Sequence, residues 1–153
     1  MGRKFEKVSR IEEDIQLPIA STENSAGYDF IAIEDEKIRP YSEKNTHPTR
    51  IQLGVKAQME PDEVLLLFNR SSNPGNYGLV QANSVGVIDS DYYNNPNNEG
   101  EIAVEFYNMN KRHSVKIKKG QKVCQGVFVK FLKTDDDNRL SVKREGGLGS
   151  TGK

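Results

Sequence analysis

Asp89 ends the run Val85-Gly86-Val87-Ile88 and stands shortly before the aromatic pair Tyr92-Tyr93. An acid delivered by an extended apolar segment beside aromatic rings can sit at the lip of a pocket. There it could orient a water and take its proton, provided the carboxylate stays ionised and within hydrogen-bond reach. The plainer reading is an edge-strand carboxylate facing water, and on this stretch alone that reading leads. Four other clusters hold groups able to share a site. Ser25-Ala-Gly-Tyr-Asp29 puts a glycine and an aromatic beside an acid at a strand start. Asn69-Arg70-Ser71-Ser72 sets a cation and two hydroxyls at a strand end. Gln125 lies within Lys122-Val-Cys-Gln-Gly126. Finally, the chain closes on REGGLGSTGK, with glycine at 146, 147, 149 and 152. So many glycines disfavour a strand or helix. Arg144, Ser150, Thr151 and Lys153 add cations and hydroxyls that can wrap a phosphate, as can the exposed backbone N–H groups. Taken singly, each cluster reads as structural: Asp29 a turn former, Arg70 a surface ion pair, Gln125 a polar strand residue, the tail a disordered terminus.

Other motifs fail on their chemistry. Gly147 to Lys153 satisfies G-x-x-x-x-G-K but lacks the following Ser/Thr and any helix to offer its N-terminus to a phosphate. Asp89-Ser-Asp91 opens like a calcium loop, yet Tyr93 stands where a ligand is needed and Asn94 where glycine is needed. Asp135-Asp136-Asp137 reads as a solvated turn. His47 and His113 have no metal-ligand spacing. Asn69-Arg-Ser71 matches a glycosylation sequon without a secretory signal to make it relevant.

The elements that must position these residues are strands. Ile15, Leu17 and Ile19 alternate with polar or small residues, and Ile51, Leu53, Val55, Ala57 and Met59 give the cleanest period of two. Val64 to Phe68 is a continuous apolar run, the pattern of a strand buried on both faces. Ile102/Val104/Phe106, Val115/Ile117 and Val127/Val129/Phe131 alternate again. Between them lie turn signals such as PDE, NPGN, KKGQ and TDDDN. The stretch from Tyr77 to Glu105 reads as a β-hairpin whose two arms flank an Asn-rich tip, NNPNNEG, because Asn, Pro and Gly supply turn dihedrals. The one helical spacing, Phe5, Val8 and Ile11, is weak. Roughly ten short strands with regular turns predict an all-β sandwich, jelly roll or barrel.

Composition narrows the function classes. A chain of 153 residues is one domain by length; 35% of it is apolar and 29% charged, so burial between subunits of a symmetric oligomer is expected. Zero formal charge argues against a general nucleic-acid binder, though not against a single nucleotide. Cys124, the only cysteine, excludes an intrachain disulfide and a cysteine zinc cluster. No run approaches a membrane span and the charged N-terminus has no signal-peptide core, so a cytoplasmic protein with no membrane partner is expected.

Together and in order, SAGYD, RSS, GVIDSDY…GEI, the Gln of KVCQ and R-x-G-G-x-G-S-T-G resemble the five motifs of the trimeric dUTPases, from residue 25 to 152. The NNPNN insertion resembles enzymes of Gram-positive bacteria and their phages. The resemblance implies a homotrimer of distorted jelly-roll-like β-barrels, with a barrel over 1–143 and a glycine-rich lid over 144–153, and active sites at subunit boundaries. It implies hydrolysis of dUTP to dUMP and pyrophosphate with Mg2+. By the same resemblance Asp89 is the general base, Tyr92 lies against the deoxyribose and leaves no room for a 2′-OH, and Asn83 reads the uracil with backbone groups of the stretch around Val87 and Ile88. Arg70, Ser71, Ser72 and Gln125 hold the phosphates. Arg144, Leu148, Gly149, Ser150 and Thr151 close over the substrate from the tail, and Asp29 reaches the magnesium through water at most.

The chain departs from the family pattern at a few places. Leu148 replaces the usual aromatic that stacks on uracil, giving less covering area and no π face. Cys124 stands where a small residue is common and is expected only to pack, and Ser72 replaces a frequent glycine. The insertion puts the length of the hairpin in question but not the position of Asp89, which makes its Asn-rich tip the least important part of that stretch. A dCTP deaminase is the nearest enzymatic rival, but that family lacks the GGxGSTG tail. A regulatory module using the same pocket to control a protein partner is a different class, and no extra domain or basic surface serves it. A purely structural β-protein leaves Arg144 and the tail unexplained.

Overall fold

The computed structural model describes residues 2–138 and 144–147. Twelve strands occur among them: β1 (Lys4–Lys7), β2 (Ile19–Ala20), β3 (Tyr28–Ile31), β4 (Glu36–Ile38), β5 (Thr49–Gln52), β6 (Val55–Gln58), β7 (Glu63–Asn69), β8 (Leu79–Gln81), β9 (Val85–Asp89), β10 (Ala103–Asn108), β11 (Val115–Ile117) and β12 (Lys122–Lys130). One π-helical turn (Asn73–Tyr77) and one 3-10 turn (Ser90–Tyr92) complete the list of elements. The all-β expectation is met. The weak N-terminal helical spacing is not: Phe5 lies in β1, which pairs antiparallel with β6.

The strands form four sheets, of which two matter most for the site. One has the order β2-β3-β12-β7-β9, the other β5-β10-β8. Their inner faces enclose Phe30, Leu65, Leu67, Ile51, Val104 and Phe106, all at or below 3% exposed. The alternation through Ile51, Leu53, Val55, Ala57 and Met59 does point every one of these side chains inward. It spans two strands, however, because Gly54 takes a left-handed φ of +70° and redirects the chain from β5 to β6.

Two sequence readings are corrected here. Val64–Phe68 is not buried on both faces within one chain: Leu65 and Leu67 are in the core, whereas Leu66 and Phe68 are only half-buried. The arms on either side of the Asn-rich tip are not a hydrogen-bonded hairpin. β9 pairs with β7, while β10 pairs with β5 and β8. Alternation marks a strand but not its partner, and here the chain crosses from one sheet to the other. The space between the separated arms is what makes a pocket possible.

Candidate active site

The cavity between the two sheets holds about 310 Å³ and is bordered by β9, β10, the tip and the start of the tail. Asn83, Val87, Ile88, Asp89, Tyr92 and Arg144 all line it. Among the described residues β9 is the edge strand of its sheet, so the backbone on its outer side is left to the pocket by the strand pairing. Gln81 is buried beside it, giving its amide N–H to the Leu67 carbonyl at 3.1 Å while its Oε1 has no partner among the described residues. That unpaired acceptor carried no signal in the sequence.

Asp89 closes β9, opposite Val64 of β7. The Arg144 guanidinium bridges two carboxylates, donating from Nη2 to Asp89 Oδ2 at 2.5 Å and from Nε to Asp91 Oδ1 at 2.7 Å. Arg144 and Asp89, far apart in sequence, are therefore brought together, and Asp91 joins them. The tail lies close against Tyr92 and the tip at its glycines. A Cβ on Gly147 would stand 2.9 Å from Tyr92 Cε2, and one on Gly146 would stand 2.8 Å from Asn97 Nδ2. The Asn97 N–H also donates to the Glu145 carbonyl at 3.2 Å. Leu148, Gly149, Ser150 and Thr151 lie outside the described residues.

Tyr92 is gripped on several sides. Its hydroxyl donates to the Glu101 carbonyl at 2.6 Å and accepts from Asn98 Nδ2 at 2.8 Å. Glu101 is itself buried and held by Arg10 Nη2 at 2.7 Å. Gly100, at φ +85°, lies so near the Tyr92 carbonyl that a Cβ would come within 2.6 Å of it. The glycine and acid of GEI thus serve the tyrosine. The Asn-rich tip, read from sequence as the least important part of the stretch, is tied both to Tyr92 and to the tail.

The second cluster sits at the other end of the five-stranded sheet. Gln125 opposes Asp29 across β12 and β3, and its Oε1 lies so close to Gly27 that a Cβ there would stand 2.6 Å away and make the glutamine amide shift. Lys122 Nζ contacts Asp29 Oδ2 at 2.8 Å and donates to Ser21 Oγ at 2.9 Å, and Ser21 in turn donates to Asp29. Partial burial works to raise the Asp29 carboxyl, but the hydrogen bonds from Lys122 and Ser21 and the nearby Arg70 charge outweigh it and hold it below its ordinary range. Arg70, just past β7, donates to the Lys122 carbonyl at 3.3 Å. Ser71 and Ser72 lead into the π-helical turn, whose Asn73 is buried and bonded to the Val123 carbonyl at 2.9 Å. Lys122 is a cation of this cluster that sequence reasoning passed over, although it opens the same KVCQ segment. Cys124 is fully buried, and burial pushes its thiol up, out of reach of reactivity.

Asn83, Asp89, Tyr92 and Arg144 therefore meet at one cavity, and Asp29, Arg70 and Gln125 at another place. The dUTPase family model matches residues 13–152, which takes in both clusters and the tail. The chain belongs to the dUTPase family. It is 48% identical over 152 residues to the deoxyuridine 5'-triphosphate nucleotidohydrolase of Lactococcus lactis, covering 98% of this chain and 97% of that one. Among solved structures, the dUTPase from Streptococcus mutans is similar at 44% identity and TM-score 0.79, over 88% of this chain and 99% of that one. The Staphylococcus bacteriophage 80alpha dUTPase with dUPNHPP shares the fold at 21% identity and TM-score 0.67, over 98% of both chains. The two Gram-positive relatives agree with the type that the NNPNN insertion resembles.

Proposed function

We propose that this dUTPase-family chain hydrolyses dUTP to dUMP and pyrophosphate, with Asp89 as the general base. The observation that carries the reading is the convergence of Asp89, Tyr92, Asn83 and the unpaired edge of β9 on one cavity. A strand edge presents fixed donors and acceptors, and a uracil edge can complete that pattern as another strand would. Cytosine puts an amine where uracil has a carbonyl and would leave buried groups unpaired, the kind of mismatch that discriminates strongly. Tyr92 takes the deoxyribose, its ring filling the space of a 2′-OH.

Asp89 orients a water toward the α-phosphorus and accepts its proton as the new P–O bond forms. The bond to the bridging oxygen then breaks and pyrophosphate leaves. Arg144 rests on Asp89 and Asp91 in the described structure. A triphosphate offers that guanidinium competing oxygens in a geometry its planar fork matches, so substrate draws Arg144 off the base. Leu148, Gly149, Ser150 and Thr151 then close over the nucleotide as the rest of a lid that begins at 144.

Magnesium fits this donor set as an ion carried by the substrate. Asp29 is already bonded to Lys122 and Ser21, and no group of three or more His, Cys, Asp or Glu among the described residues could hold a metal. A bound magnesium would supply positive charge against the phosphates, and Asp29 is the residue of this chain that would help to hold it, through water at most.

The working unit is a homotrimer of distorted jelly-roll-like barrels. Asp89 pairs with Val64 at one end of β7, and Cys124 with Asn69 at the other, next to Arg70 and Gln125. Five residue steps, from Val64 to Asn69, separate these ends, about 17 Å at the usual rise. One chain thus presents a base and sugar half-site and a phosphate half-site that it does not join. Between them the outer face carries the registered rows Leu66–Val87–Val127 and Phe68–Val85, with Val87 60% exposed. A second copy against that face buries the apolar rows and brings the half-sites together.

The test is pyrophosphate release from dUTP, UTP and the four standard dNTPs. Turnover confined to dUTP is the expected result, and ammonia release from dCTP would sink the reading.

A further inference from the structure

The geometry points to Asn98 as a positioning residue for sugar selection. The NNPNN insertion is then a built clamp and not a turn of convenience. The inference rests on the reading of Tyr92 as the face against the deoxyribose. The tip is closed at its base by the Asn94 N–H donating to the Glu99 carbonyl at 3.0 Å. Lys56, 8% exposed, reaches both ends of that closure, donating to Asn94 Oδ1 at 2.6 Å and Glu99 Oε1 at 2.8 Å. Inside the tip, buried Asn95 donates to the Tyr92 carbonyl at 2.7 Å and to Asn98 Oδ1 at 2.8 Å. Its own Oδ1 accepts from the Asn97 and Asn98 N–H groups, each at 3.1 Å. The Gly100 N–H also donates to Asn98 Oδ1, at 3.1 Å. With its oxygen held from two directions, the Asn98 amide has its Nδ2 aimed at one target, the Tyr92 hydroxyl, at 2.8 Å.

That last bond completes Tyr92. Its hydroxyl proton goes to the Glu101 carbonyl and its oxygen lone pair receives Asn98. A phenol with donor and acceptor both committed cannot tilt its ring without breaking a bond, so the ring plane is fixed before substrate arrives. A ring that rejects a ribose by occupying the space of one hydroxyl must not yield by a fraction of an ångström. Pinning its far end is how such rigidity is obtained. Without Asn98 the ring remains but can give way, and UTP gains relative to dUTP.

The experiment is a double-mutant cycle read as the ratio of kcat/KM for dUTP to that for UTP. Asn98→Ala lowers the ratio about tenfold, the size of one lost hydrogen bond at a reacting geometry. Tyr92→Phe, which keeps the ring and folds conservatively, lowers it at least as far. In the Tyr92→Phe background, Asn98→Ala changes it by less than about twofold, because the partner atom is already gone. An equal loss in both backgrounds, or a full ratio in Tyr92→Phe, overturns the role of Asn98. Tyr92→Ala separates the two levels. An unchanged ratio there defeats the sugar-facing reading itself, whereas a relaxed ratio beside an inert Asn98→Ala defeats only the clamp.

Discussion

At the scale of single residues, Asp89 is held by a cation from the tail and supported by a second acid. The Asp89→Asn change removes the proton acceptor while leaving Asp91 to keep Arg144 in place. Turnover should fall by about a hundred- to ten-thousandfold, while binding of a non-hydrolysable dUTP analogue, followed by calorimetry, stays close to wild type. Undiminished pyrophosphate release would remove Asp89 from the chemistry. Asp89 drew notice in the sequence as an acid between an apolar run and two tyrosines, but that stretch alone favoured a water-facing carboxylate, and only the ordered set of motifs with Arg70, Gln125 and the glycine tail marked it as a candidate base. Lys122, Gln81 and Asp91 were not singled out for a role. Their residue types are common on strands and turns, and only the fold sets Lys122 against Asp29 or leaves Gln81 Oε1 buried without a partner among the described residues.

At the scale of elements, the stretch between β9 and β10 shows what a pattern can and cannot say. Alternation located both strands, but pairing is a property of two segments, and each arm found a different partner. The composition of NNPNN reads as a turn whether its side chains face water or, as here, tie the chain down. Lys56 carried even less signal, being one polar residue in an alternating strand, yet it is buried against the tip. This anchor gives the element a pH signature. The Glu99 carboxyl is lowered from 4.5 to about 2, first by the hydrogen bond from Lys56, then by those from the Ser9 hydroxyl and N–H. A depressed folded-state value means that its stabilisation is complete above about pH 4.5 and is lost as pH falls toward 2. Thermal unfolding of wild type and Glu99→Gln should therefore differ at neutral pH and converge in acid. A difference that persisted unchanged at pH 2 would place the tip's anchoring elsewhere.

At the scale of the whole molecule, the strand register keeps two clusters of candidate site residues apart within one chain. Asp89 and the Arg70/Gln125 cluster sit at opposite ends of β7, and the sheet between them is too stiff to fold one end onto the other. If each site takes its base from one subunit and its phosphate holders from a neighbour, two inactive variants can repair each other. Asp89→Asn chains keep Arg70, and Arg70→Ala chains keep Asp89. Unfolded together in equal amounts and refolded, they should form mixed trimers in which some boundaries pair an intact Asp89 with an intact Arg70. Random mixing completes one boundary in four, so the mixture should recover about a quarter of wild-type turnover, where each variant refolded alone stays near zero. A site contained within one chain gives no recovery at any mixing ratio, since every chain then carries one lesion. The measurement reads shared sites directly, and it would succeed whether or not the tail that covers each site comes from the chain that supplies its base.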